Sequence, residues 1–289
     1  MPTISTTGQM ENVALEMMTA LRYTMEHNSP IYGLVSHFAL GDGEDTGIFP
    51  KVGQMTWGKL TEGEEITTEQ EIGLTTVSVT PGESGAKIIL TDKLLRQQKS
   101  VNFRSVGKQL GEGQVRLRET DLADLFTGLN ASTALGAAGA PFSLANAISC
   151  VSIAKTNKYG ENLHIVHHPN AVMRLARDLT GQGSGQLLAL PEGPTARLLG
   201  RAWTGLKVWD VPVVETGNLT RDASDDANGV IMDKEALGFL QSQAPKRETE
   251  RKATLRATVL VMVTDYAAFE LDDTKGAALL YDAVNPATS

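Results

Sequence analysis

The stretch that most limits what this chain can become runs from residue 101 to 129, "VNFRSVGKQLGEGQVRLRETDLADLFTGL". Phe103, Val106, Leu110, Leu117, Leu125 and Leu129 recur at helical spacing, with Leu122 and Phe126 beside them. The spacing predicts one helix of roughly 40 Å at 1.5 Å per residue. Such a rod needs a long surface to lie on. Gly107, Gly111 and Gly113 weaken it by up to about 1 kcal/mol each relative to Ala. A close backbone approach by another element is the expected compensation.

Just upstream, "TTVSVTPGESGAKIILTD" (75–92) alternates with period two on both sides of a Pro/Gly turn. Val77 and Val79 share one face, and Ile88 and Leu90 share another. This pattern predicts a hairpin. A lone hairpin is marginal in water, and its upstream neighbour, "LTEGEEITTEQE", is acidic with almost no apolar residues. The hairpin is therefore expected to pack on something distant in the chain or on another molecule. Asp92 is placed to cap a short helix over 93–98.

On the N-terminal side, residues 9–26 read as an amphipathic helix carrying Val13, Met17, Leu21 and Met25. The loop "GDGEDTGIFP" then separates it from the rest as an arm. On the C-terminal side, "NASTALGAAGAPF" (130–142) reads as a small-residue linker. Helices at about 143–157 and 169–179 then alternate with the strands "LHIVH", "LKVWDVPVVET" and "GVIMD". A Gly-rich loop and a short helix to Leu240 complete a compact α/β module. "KATLRATVLVMVTD" is a long strand. "YAAFELD" follows it and turns at Asp273–Gly276 into "AALLYDA".

Composition excludes several classes. With 26 Lys and Arg against 34 Asp and Glu, the net charge of −8 argues against general nucleic-acid binding. No window reaches the roughly 18 apolar residues of a membrane span. The start shows no basic segment followed by an apolar run, so no secretory signal is expected. The single cysteine, Cys150, lies in the apolar stretch "LANAISCVSIA" and reads as a buried thiol.

His164, His167 and His168 in "HIVHHPN" are the candidate metal ligands, and a metal-dependent enzyme built on them is the remote alternative function. In a strand His164 and His167 point to opposite faces, so a strand end and helix cap is the preferred reading. "TGQGSGQLL" lacks the lysine of a phosphate loop, and Ser184 is not in a nucleophile elbow. No catalytic, cofactor-binding or metal-binding residue is assigned, and no cofactor is expected. The acidic run Glu62, Glu64, Glu65, Glu69 and Glu71 could face the basic "KRETERK" of a neighbouring copy, with Lys246, Arg247, Arg251 and Lys252. Two solvated loops are the alternative.

The order of these parts resembles the major capsid protein of tailed bacteriophages, with the Hong Kong 97-type fold. The resemblance rests chiefly on "VTPGESGAKIILTD" running into "VGKQLGEGQVRLRETDLADLF", and then on the final "YAAFELDDTKGAALLYDA". It implies an α+β chain with an N-terminal arm at 1–50 and an extended β-hairpin loop at 51–92. It also implies a peripheral domain at 93–142 and 245–289, with the long helix as spine, and an axial domain at 143–244. The loop would lie over a neighbouring subunit, and the chain would self-assemble into hexamers and pentamers of an icosahedral shell.

Portal and scaffolding proteins, and a decoration protein, are the implied partners. DNA would be enclosed without sequence-specific binding, and no membrane would be involved. The location would be the virion, with assembly in the host cytoplasm. An encapsulin-type cellular compartment is the alternative within the same fold. A scaffolding segment removed by protease is either absent or hidden by the numbering. The crosslinking chemistry of some members is not carried over to Lys59 or Lys87, because no acceptor is matched.

Overall fold

The computed structural model describes residues 29–41, 43–52, 59, 62, 73–93, 103–181 and 207–285. The expected helix at 9–26, most of the acidic run, the short helix after Lys93 and the Gly-rich loop near 180–186 lie outside the described residues.

The long helix is present as α1 (Phe103–Asp124) and tightens into a 3-10 turn at Leu125–Gly128. Its buried residues form two sets. Val106 and the half-buried Leu110 pack on the sheet below, with Ile88, Leu90 and Leu260. Val115, Leu122 and Phe126 are buried on another side of the helix, where Leu122 and Phe126 meet Ile31, Val35 and Leu237. At about 100° per residue the two sets lie roughly 150° apart around the helix. The rod thus lies between two neighbours, on opposite sides of its two halves. Leu117, expected on the buried stripe, shares the side of Leu110 and is 45% exposed. Gly107 and Gly111 are buried, as a close approach requires, whereas a Cβ on Gly113 would meet nothing.

Two further helices sit on a six-stranded sheet of order β5-β12-β9-β6-β8-β7. Its strands are β5 (Leu135–Pro141), β6 (Leu163–His167), β7 (Lys207–Val208), β8 (Val211–Glu215), β9 (Asp226–Asp233) and β12 (Gly276–Asp282). Helix α2 (Leu144–Thr156) starts where the Ser143 hydroxyl accepts the Asn146 N–H at 3.3 Å. Helix α3 (Pro169–Gly181) begins with proline, whose missing N–H costs nothing at that position. Val151, Ala154, Ile165, Leu175, Ile231 and Leu279 form a fully buried layer between helices and sheet.

The supposed linker at 130–142 is largely a strand. β5 pairs in parallel with β12. Its small residues allow that approach: a Cβ on Gly136, where φ is +92°, would sit 2.6 Å from the Leu280 carbonyl oxygen. "LKVWDVPVVET" is likewise two strands and a tight turn rather than one strand.

A four-stranded sheet of order β1-β10-β11-β4 carries the longest strands. They are β1 (Ser36–Ala39), β4 (Gly82–Thr91), β10 (Leu237–Lys252) and β11 (Ala257–Glu270). The expected short helix to Leu240 is the start of β10, and "KRETERK" is strand rather than loop. Pairing with β11 makes Leu237 to Leu240 strand, while Glu235 and Ala236 lie in the turn before it. Pro245 lies in the irregular stretch between Gln243 and Lys246.

The hairpin expected at 75–92 is also overturned. β3 (Leu74–Val79) pairs antiparallel with β2 (Gly47–Val52), while β4 pairs antiparallel with β11. Thr80 and Pro81 hand the chain from one sheet to another and do not reverse it. "GIFP", expected in a loop, opens β2.

The elements cross the expected domain limits. β5 and β12 come from stretches expected in the peripheral domain, yet both lie in the six-stranded sheet with the strands of the α/β module.

Candidate assembly surfaces

The chain enters the described fold at Ser29, held by two charged residues of α1. The Glu119 carboxylate accepts the Ser29 hydroxyl at 2.9 Å and the backbone N–H groups of Tyr32 and Ile31 at 3.2 and 3.4 Å. The Arg118 guanidinium donates to the Ser29 oxygen and lies 3.7 Å from the centre of the Tyr32 ring. Both residues are buried. Burial pushes the Glu119 carboxyl up and the Arg118 guanidinium down from their ordinary values. A buried charge is tolerated only with partners, so residues 29–32 and this pair require one another. From there Ile31 and Val35 enter the core and β1 adds in parallel to β10. Residues 29–32 are therefore fixed in place on α1. A charged pair inside an apolar helical stripe, between Val115 and Leu122, was the signal sequence reasoning passed over.

The second surface is the β2–β3 ladder, in register from Gly47↔Val79 to Val52↔Leu74. Its inner face is packed: Phe49 stacks on Phe269 at 4.7 Å and lies 4.6 Å from Phe38, with Val77 and Val79 alongside. Lys51 ties the same face to the β11–β12 turn through Asp272 at 2.5 Å and Asp273 at 3.2 Å. The outer face carries Ile48 and Leu74, which are 67% and 59% exposed. Val77 and Ile88, expected to meet a neighbouring subunit, are instead packed within their own. The outward apolar residues of this region are Ile48 and Leu74.

The third surface is the far half of the β10–β11 pair. Lys246, Glu248, Glu250 and Lys252 alternate along β10, with Lys246–Glu248 and Lys252–Glu250 contacts of 3.7 Å. Arg251 reaches the other way and grips both oxygens of Asp92 at 2.6 Å. That fork commits Arg251 within its own chain, whereas the expectation paired it with an acidic run. Of that run only Glu62 is described, and it is exposed.

His164 stands on β6 with a buried Nδ1 that meets no hydrogen-bond partner among the described residues, while His167 and His168 each make local contacts. His167 is fully buried, stacks on Phe142 at 5.2 Å, and accepts the His168 N–H on Nδ1 at 2.9 Å. Burial holds its pKa down at about 3. His168 Nδ1 accepts the Asn170 N–H at 3.2 Å and so caps α3. Among the described residues no group of three or more His, Cys, Asp or Glu could hold a metal ion. Cys150 is buried against the Tyr281 hydroxyl at 3.2 Å. No described helix is long and apolar enough to cross a membrane.

No family model and no curated protein matches this chain. Solved structures do. The capsid of Ralstonia phage GP4 aligns with a TM-score of 0.65 at 13% identity, covering 89% of each chain. A structure from Mycobacterium phage Che8 aligns at 0.62 and 15% identity, over 84% of this chain and 86% of the other. The chain has the Hong Kong 97-type capsid fold. An encapsulin complex of Synechococcus elongatus aligns at 0.63 and 10% identity, over 91% and 92%.

Proposed function

We propose that this chain is the major capsid protein of a tailed bacteriophage. In this reading it self-assembles through hexamers and pentamers into an icosahedral shell around DNA. The observation that carries the reading is the match of nearly the whole chain, at both lengths, to solved phage capsids. The exposed apolar pair Ile48 and Leu74 and the clamped arm root suit a subunit completed by other copies. The role is structural, and no reaction is assigned.

In this reading the arm is the chain before the root at Ser29, the extended loop is carried on β2 and β3, the peripheral domain holds α1 and the four-stranded sheet, and the axial domain is the six-stranded sheet, β5 and β12 included, with α2 and α3. Portal, scaffolding and decoration proteins are the partners, DNA is enclosed without sequence reading, and the location is the virion after assembly in the host cytoplasm. The net charge of −8 fits a container that does not cling to packaged nucleic acid.

An encapsulin-type compartment is the second reading, favoured by the equally long match to the Synechococcus complex. Expression of the chain, followed by electron microscopy and mass spectrometry of the particles, tests both. Closed shells recovered with DNA and a portal protein from phage-producing cells support the first. Shells holding one enzyme cargo and no DNA support the second. A stable monomer at high concentration, with or without a scaffolding partner, defeats both.

A further inference from the structure

β7 and β8 are joined by two residues, Trp209 and Asp210, with φ of +49° and +65°. Two-residue turns of this hand favour Asn-Gly or Asp-Gly, because the left-handed conformation crowds a Cβ. A bulky aromatic at positive φ is an outlier. Burial does not compensate it, since Trp209 is 64% exposed. The turn is nevertheless steadied from α2. Lys155 donates to the Trp209 carbonyl at 3.5 Å, and its ammonium lies 5.7 Å from the indole centre. The hairpin stands at the edge of the six-stranded sheet, so the ring projects from a firm support. Strain that a smaller residue would relieve, kept together with an exposed ring, marks a side chain used outside its own fold.

We propose that Trp209 is an anchor between subunits, its indole buried against a second copy of this chain in the assembled shell. The proposal rests on the shell reading above. A second copy is the occupant because the likeness to phage capsids covers nearly the whole chain, and the net charge of −8 on each copy requires that contact to be short-range and apolar rather than a long-range attraction. Buried Trp side chains are foremost among such anchors. The nearby Lys155 offsets acidic charge at this one point.

The test compares wild type with Trp209→Asn, which suits the turn better, and Trp209→Tyr, which keeps a ring. Thermal unfolding is measured on dissociated subunits, and particle yield by sedimentation at equal concentration. Trp209→Asn is expected to leave the melting temperature unchanged or raised by roughly 2–4 °C. Particle yield is expected to fall by about tenfold or more, and Trp209→Tyr to recover much of it. Equal yield from Trp209→Asn overturns the proposal. So does a melting temperature that falls in step with yield, which would make the ring a support of its own subunit. Absence of particles from the wild type defeats the shell reading itself and is seen before any variant is compared.

Discussion

The six-stranded sheet and the far half of the four-stranded sheet are built by opposite rules. β6, β9 and β12 are buried almost residue by residue, beneath helices that close one side of the sheet. From Gln241 onward β10 alternates half-buried and exposed and then becomes mostly exposed, and β4 is exposed at seven of its ten positions. The first region is complete by itself. The second is held by pairing, by the Arg251–Asp92 fork and by one side of α1. The proposed shell role calls for both: a rigid body, and a surface whose remaining contacts come from other copies.

The contrast has measurable consequences. The largest belongs to the complete region. Ile231→Ala removes a fully buried side chain from the helix–sheet layer and is expected to lower stability by about 2–5 kcal/mol in urea unfolding. A cost no greater than that of Ile48→Ala would erase the distinction. Next comes the arm root. Glu119→Gln keeps the shape but replaces one of the two accepting oxygens with a donor NH2, so a bond to Ser29, Ile31 or Tyr32 is lost at a cost of about 1–3 kcal/mol. Protease cleavage near residues 29–35 should accelerate, while the six-stranded region stays protected from hydrogen exchange. Glu119 also has a pH signature. Its folded pKa lies above the unfolded one, so its contribution is full below the ordinary carboxylate range and is lost as pH rises through the folded value. Glu119→Gln removes that slope.

His167 titrates in the opposite sense. Its folded pKa of about 3 lies below the ordinary 6.5, so its stabilising contribution is present above 6.5 and declines as pH falls toward 3. The slope is about 1.4 kcal/mol per pH unit. His167→Phe, still able to stack on Phe142, should flatten the stability profile in that window. An unchanged slope would place the acid sensitivity elsewhere. The smallest effect on the subunit is expected at its outward apolar pair. Ile48→Ser with Leu74→Ser should change subunit stability by less than about 0.5 kcal/mol while reducing particle formation. A large loss of subunit stability would mean that these side chains serve their own chain.

What sequence made legible follows the same division. α1, α2 and α3 announce themselves by apolar spacing, a serine cap and a leading proline, all local signals. β6, β9 and β12 show as short apolar runs. β10 does not, because "KRETERK" exposes five of its seven residues and has no apolar period; only its partner β11 makes it a strand. β5 hides in glycine and alanine, whose value is close approach to β12. The Pro81-Gly82 signal is real, but it marks a change of sheet, and the choice of β2 and β11 as partners depends on residues far away in the chain. Leu117 sits on the apolar stripe of α1 over an open gap between the helix and β4 and β11, while Arg118 and Glu119 beside it hold the root at Ser29.

The central claim is that the subunit's open surfaces are completed by other copies of itself. A cryo-electron microscopy structure of particles formed by the purified chain tests it most directly. The expected result is a closed shell in which the six-stranded region keeps its present packing, the root at Ser29 stays on Glu119, and Ile48 and Leu74 are covered by a neighbouring subunit. A shell that leaves both side chains in solvent in every subunit, or a preparation that stays monomeric under all assembly conditions, would contradict it.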